Sequence, residues 1–449
     1  MTPARRSLTA LLLAAPALLT AAACDRSAAD GTAAPPVSPP PAAGSAGTET
    51  GVVWTSGLND HGQLGRPGPG IDLKLAPVTG VGGQGRLGGV RAVAGGGRHS
   101  LAVVGAGEVV AWGANDHGQL GDGTLRDRRA PVPVRAPDGR SGRLDGVVAV
   151  SANNDFSMAL RRDGTVVTWG ANDHGQRGNG ERGDGGRAAP RVPTTVKAPD
   201  GRRPLTGVTA ISADGHTELV LRRNGQVLAW GANDYGMVGD GTRRDRALPV
   251  PVRGLDGARR LTGVTRIAIG GQHGLALLKD GRVASWGHND LGQLGDGTRR
   301  DRLVPALVSG VGGKGVLSGV TGISAAEKHN YALRKDGTVV AWGNNTAGQL
   351  GDRTVKLRAA PVTVAGSHGA KLRGVAQVFA GEAYGAAILT DGTPLTWGAG
   401  GSGQLGSGNR VPRSRPGTVV MAHGAAPGKA LSAGAGERHL LLLMSSPGS

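Results

Sequence analysis

The chain has 449 residues, room for two or three ordinary domains or for one large repeat fold. Its 82 glycines and 26 prolines sit beside only seven Trp, three Tyr and two Phe, which excludes a conventional aromatic-rich core; the glycines lack a three-residue period, which excludes collagen. The lone cysteine, Cys24, excludes an intrachain disulfide framework, and 51 basic against 33 acidic residues leave a formal charge of +18.

In chain order, the first feature is a targeting segment. Arg5 and Arg6 form a basic region, Leu8 to Thr20 is an apolar run broken by Pro16, and Ala21-Ala22-Ala23 precedes Cys24. The run is short for a membrane span of about 20 residues. The pattern resembles a bacterial lipoprotein signal, although Ala21 stands where leucine is usual. An ordinary secretory signal cut near the same alanines is the alternative, and Ala4-Arg5-Arg6-Ser7-Leu8 also resembles part of a twin-arginine export signal. Residues 1–23 are therefore expected to be a signal peptide. Residues 24–50, with Pro35-Pro36 and Pro39-Pro40-Pro41, are expected to be the lipid-attachment cysteine and a disordered tether.

The next feature is a period. Trp54, Trp112, Trp169, Trp230, Trp286, Trp342 and Trp397 are 58, 57, 61, 56, 56 and 55 residues apart, which marks a repeat architecture. Around them the text recurs, most fully as Val110-Ala111-Trp112-Gly113-Ala114-Asn115-Asp116-His117-Gly118-Gln119-Leu120-Gly121-Asp122-Gly123-Thr124. Upstream lie Asp163-Gly164, Asn224-Gly225, Asp280-Gly281, Asp336-Gly337 and Asp391-Gly392, read as type I′ hairpin turns. Segments such as Gly207-Val208-Thr209-Ala210-Ile211 add a strand, and Pro249-Val250-Pro251-Val252 adds a proline-bearing one suited to an edge. About four short strands per repeat and no convincing helix predict a β-propeller. The half-repeat Ala430 to Leu443 and the opening Gly51-Val52-Val53-Trp54 together make one unit, so both termini are expected to complete one blade.

The W-G-x-N-x-x-G-Q-L-G-x-G-T signature, the D-G hairpin and G-x-x-H-x-x-A-L resemble the regulator of chromosome condensation repeat. The resemblance covers residues 51–444. It implies an all-β fold, a seven-bladed propeller of four-stranded antiparallel blades with a two-ended closing blade; residues 445–449 are expected to be a disordered tail. The seven tryptophans are read as structural, filling gaps between sheets of Gly, Ala and Val.

His99, His216, His273, His329 and His439 are read as one repeat position, with Phe156 and Tyr384 in the other two units. None lies at ligand spacing to another, so no metal, cofactor or catalytic residue is assigned. Three equivalent loops carry Arg126, Arg128 and Arg129; Arg243, Arg244 and Arg246; and Arg299, Arg300 and Arg302. A fourth carries Arg353 with Lys356 and Arg358. These clusters are the candidate partner-binding residues, for an unknown protein or an anionic cell-surface ligand. Each also contains an aspartate that could hold its loop, and the arginine bias suits a GC-rich genome. Arg177 replaces Leu in Gly175-Gln176-Arg177-Gly178, and residues 65–70 and 406–410 lack the Gly-Asp-Gly-Thr segment, so these loops are expected to differ in shape.

The expected protein is a monomeric, extracytoplasmic and non-catalytic propeller, held at the membrane by lipid on Cys24. Nucleic acid is not an expected partner, because export removes the chain from it and the basic loops lack interleaved aromatics. The resemblance extends to secreted bacterial propellers that inhibit β-lactamases, which makes an enzyme inhibitor the alternative function. A propeller lyase or hydrolase is a second alternative. The eukaryotic member is a nucleotide-exchange factor for a nuclear GTPase that docks on nucleosomes, and the export signal argues against that role here.

Overall fold

The computed structural model describes residues 49–183, 191–255, 257, 259–422 and 428–446. Cys24 and the signal and tether segments lie outside the described residues. The regular structure of the described residues is almost entirely strand, with 3-10 turns such as Val81–Gly83 and no helix long and apolar enough to cross a membrane.

Each repeat folds as a meander. In the second blade of the chain the strands Val90–Gly95, His99–Val104, Glu108–Gly113 and Arg128–Pro133 pair antiparallel in that order. Five such sheets stand alone as four-stranded units. The remaining eight-stranded sheet is two of them, joined by the single pair Gly51↔Val90. One of its halves joins the two ends of the chain: Gly51–Leu58 pairs with His439–Ser445 from Gly51↔Ser445 to Gly57↔His439. Ring closure thus replaces the polar caps an open repeat array needs.

The inner strands are short runs of Val, Ile and Ala, which suit a pleated sheet covered on both faces. The outermost strands, such as Arg246–Pro251 and Arg302–Leu307, carry the prolines, where a missing N–H costs no ladder bond. The hairpin turns differ from the type I′ expectation. Arg161 N bonds Thr165 O, so the loop has three residues, and only Gly164 takes a positive φ, of 78°. Asp163 keeps a negative φ and accepts a hydrogen bond from Thr165 N at 2.9 Å. A three-residue loop with glycine in the left-handed region satisfies the same sequence signal.

The core lies between blades. Trp169 packs against Leu101, Leu120 and Val134 of the preceding blade, and Trp286 against Leu219, Val238 and Val252. Six tryptophans have no exposed surface, and Trp54, in the closing blade, retains 8%. A Cβ at Gly295 (φ 66°) would stand 2.7 Å from the Trp342 ring, so glycine is required where the loop crosses the indole.

Candidate binding face of the ring

One end of every blade carries two kinds of connection. Gly113 pairs with both His99 and Arg128, so the turn before His99 and the arginine-rich loop before Arg128 emerge on the same face. The three-residue hairpin turns lie at the other end.

The loop after each Trp-Gly is folded by its own side chains. Asn115 donates Nδ2 to the carbonyls of Thr124 and Arg126, and its Oδ1 accepts from Leu120 N. Asp122 accepts from Thr124 and Arg128, and Asp127 accepts Asn115 N at 2.9 Å. Asn233 with Asp240 and Asp245, and Asn289 with Asp296 and Asp301, repeat the arrangement. Burial opposes ionisation of Asp122, Asp240, Asp296 and Asp352, but bonds from the neighbouring Thr and Arg hold all four below the usual carboxylate range.

The ten candidate arginines therefore divide. Arg128, Arg246 and Arg302 grip Asp122, Asp240 and Asp296 through Nε at 2.8, 2.7 and 2.7 Å. Arg243 bridges to Asp301 in the next blade at 3.2 Å, and Arg353 donates to Gly366 O at 2.8 Å. Arg126, Arg129, Arg244, Arg299 and Arg300 are exposed and form no ion pair among the described residues. Exposed cations outside any ion pair among the described residues form a discontinuous rim.

The middle of the same face is acidic. The inner strands of all seven units surround a cavity of about 430 Å³ at the axis, lined mainly by Gly, Ala and Ser. Asp214, Glu327, Glu382 and Glu437 stand on its wall. Burial and then the nearby Glu327 push Asp214 up to about 8. Burial followed by Glu327 raises Glu382, and burial followed by Glu382 raises Glu437. Lys328 lies 3.5 Å from Glu327, so this mouth is partly neutralised by the chain itself. Sequence reasoning missed this group, although Glu327, Glu382 and Glu437 recur at intervals of 55 residues.

A second missed cluster joins Asp116, His117 and Asp155, whose ligand-type atoms lie within 4.8 Å of one another. Arg98 reaches Asp116 and Asp155 at 3.5 and 3.8 Å, and Gln119 donates to both carboxylates. Those contacts use the negative charge a cation would need.

The histidines do not converge either. His99 Nε2 lies 2.8 Å from Ser157 Oγ in the next blade, and His439 Nε2 lies 2.9 Å from Ser100 Oγ. Burial drives His99 and His329 down to about 3, and His273 and His439 to about 4, so all four rings are neutral at pH 7. His216 departs from the sequence reading. Thr217, not His216, pairs with Gly231 as His99 pairs with Gly113. Gly215 and His216 (φ 55° and 74°) make a two-residue turn there, which places His216 on the half-exposed turn. Arg177 stays in the buried loop, where its N–H bonds Asn172 Oδ1 at 2.9 Å as Leu120 N bonds Asn115.

A ring of four-stranded sheets with a rigid, charged loop face defines a β-propeller of the repeat-built, surface-presenting class. An RCC1-like domain model matches residues 43–318, and regulator of chromosome condensation (RCC1) repeats match 320–349, 336–388 and 391–443. The chain belongs to the RCC1-repeat family. It is 29% identical over 372 residues to the ultraviolet-B receptor UVR8 of Arabidopsis thaliana, covering 81% of this chain and 77% of that one. It is 33% identical over 280 residues to mouse E3 ubiquitin-protein ligase HERC2, covering 62% of this chain but only 6% of that protein. Among solved structures, human WBSCR16 superposes with a TM-score of 0.73 at 22% identity, covering 88% of this chain and 99% of that one. Prp20p of Saccharomyces cerevisiae superposes at 0.71 and 20%, covering 90% and 93%. At those identities the likeness establishes the fold.

Proposed function

We propose that this protein is an exported, lipid-anchored and non-catalytic propeller that binds a protein partner through its loop face. The observation that carries the reading is the division of the arginines. The sequence spends Arg128, Arg246 and Arg302 on rigid loops, and leaves Arg126, Arg129, Arg244, Arg299 and Arg300 exposed without partners among the described residues. Pre-ordered loops reduce the entropy lost on binding, and unpaired guanidinium groups recognise carboxylates bidentately. The partner surface is therefore acidic. Protein binding by a ring of the same fold supports a protein partner: Prp20p was described with its binding to Gsp1p and histones, and the same protein, yeast RCC1 (Prp20), was solved with Kap60 bound.

Export and anchoring rest on the basic, apolar and small-residue pattern that ends at Cys24. The mass of the mature N-terminus tests them; an acylated cysteine as first residue is expected, and an unmodified chain retaining residues 1–23 would overturn them. For the binding face, a photo-crosslinking residue is placed at Arg300 or at Asp280, which lie on opposite faces. Capture of a defined partner in intact cells from position 300 and not from 280 is expected. Equal capture, or capture only from 280, would contradict the reading.

A further inference from the structure

The seams between neighbouring blades are not equally fastened. At three of them a buried relay crosses the seam. His99 Nε2 meets Ser157 Oγ at 2.8 Å, and Ser157 Oγ donates to the carbonyl of Gln119 at 2.8 Å. His439, Ser100 and Gln63 repeat the relay, as do His273, Asn330 and Gln293. A further seam uses tyrosine, with Tyr384 OH donating to His439 O, whereas Tyr331 OH donates to Gln349 O within its own blade.

The blade of strands Val208–Asp214, Thr217–Arg222, Val227–Gly231 and Arg246–Pro251 has neither device on either side among the described residues. On its entering side Phe156 stands in the histidine position and Glu218 in the serine position. On its leaving side Thr217 stands for histidine and Gly274 for serine. Thr217 turns its hydroxyl onto Ala232 O, 2.8 Å away in its own blade. Each side keeps one indole bond, Trp230 to Gln176 O at 2.8 Å and Trp286 to Met237 O at 2.7 Å. Each also keeps one inner-strand bond, Ala213 N to Ser151 Oγ and Ile269 N to Ser212 Oγ.

Glu218 has no exposed surface, and neither carboxyl oxygen has a hydrogen-bond partner. The elements packed around it carry few charges. The adjacent strand Phe156–Arg161 carries only Arg161, which reaches Asp145 and Asp163. The strand Val227–Gly231 carries no titratable group, and Val208–Asp214 carries Asp214, which faces Glu327, Glu437 and Glu382 across the channel. The loop through Gln176 carries Asp173, His174 and Arg177. Burial holds the Glu218 carboxyl well above its ordinary range.

We propose that the blade Val208–Pro251 is a pH-sensitive hinge of the ring, loosened when Glu218 ionises. In the closed ring the carboxyl is neutral; once the seam opens, water restores its ordinary acidity and a proton leaves. The opening equilibrium therefore rises about tenfold per pH unit above the ordinary glutamate range, until the closed form itself ionises. Asp214, raised in the same blade, adds a second proton where opening exposes the channel wall.

Amide hydrogen exchange of the full chain between pH 5.5 and 7.5, corrected for intrinsic rates, reads this opening directly. The expected result is a gain of at least about tenfold per pH unit in opening at 208–231, with no such gain at the equivalent strands 264–287. Glu218→Gln removes one proton from the slope and flattens it by about tenfold per unit. Should that variant fold poorly, Glu218→Ser supplies the hydroxyl found at Ser100 and Ser157 and is expected to flatten the profile equally. A uniform pH response across both blades, or an unchanged slope in a folded variant, would overturn the proposal.

Discussion

The indole Nε1 of Trp112 donates to the main-chain carbonyl of Gln63, 2.9 Å away in the preceding blade. The same bond joins Trp169 to Gln119, Trp342 to Gln293 and Trp397 to Gln349. Each tryptophan is thus both the filling between two sheets and a polar fastener between them. In a ring this weakly aromatic, those contacts carry much of the cohesion.

Trp286→Ala is expected to cost about 3–5 kcal/mol, the range for losing a buried large aromatic. Trp286→Phe keeps a ring but leaves the Met237 carbonyl unpaired, and is expected to cost about 1–3 kcal/mol through that acceptor alone. Denaturant unfolding of both variants checks the two parts separately; equal stability of wild type and Trp286→Ala would remove the tryptophans from the core account.

The arginine–aspartate latches give a second expectation. Asp296 is nearly buried and accepts from Thr298 N, Thr298 Oγ1 and Arg302 Nε. Asp296→Ala is expected to destabilise by about 1–3 kcal/mol, because the loop loses charge-assisted bonds. Arg300→Ala, with an exposed and unpaired side chain, is expected to change stability by less than about 0.5 kcal/mol. Thermal melting of the pair separates arginines that build loops from those that face solvent.

Acid sensitivity follows from the buried imidazoles. In the folded ring His99 and His329 titrate near 3, and His273 and His439 near 4, against 6.5 when exposed. The folded values are lowered, so the neutral rings contribute fully above pH 6.5 and stability falls as pH drops from there toward 3–4. Below about pH 4 the lowered aspartates 122, 240, 296 and 352 add to the loss in the same direction. A melting-temperature profile from pH 7 to 4 checks this; His273→Gln, which retains an amide to face Asn330, is expected to shallow it.

Much of the fold was legible in the chain because its cause is periodic. A tryptophan every 55 to 61 residues, a turn glycine before it and a half-repeat at each end determine the blades and the closure. The turn type was not legible: Asp-Gly serves a two-residue I′ turn and a three-residue loop alike, and strand pairing chooses between them. The shift of His216 comes from its place as the second residue of a two-residue turn, where Gln272 and Ala383 stand in equivalent turns, so Thr217 takes the position of His273 and Tyr384. Of the site, arginine type and spacing were visible. Which guanidinium finds an aspartate is a matter of distance across a folded loop, and so was the meeting of Asp214 with Glu327, Glu382 and Glu437 from separate blades.

The most direct test of the binding face is the pair Arg244→Glu and Arg300→Glu, introduced together in the tethered protein. Both side chains are exposed and unpaired, so melting should be unchanged within about 2 °C for a chain of this size. Quantitative crosslinking in intact cells should then show loss of the partner captured from the loop face, with wild-type capture weakening as salt rises. Undiminished capture by a folded double variant would contradict the assignment of the arginine rim as the contact.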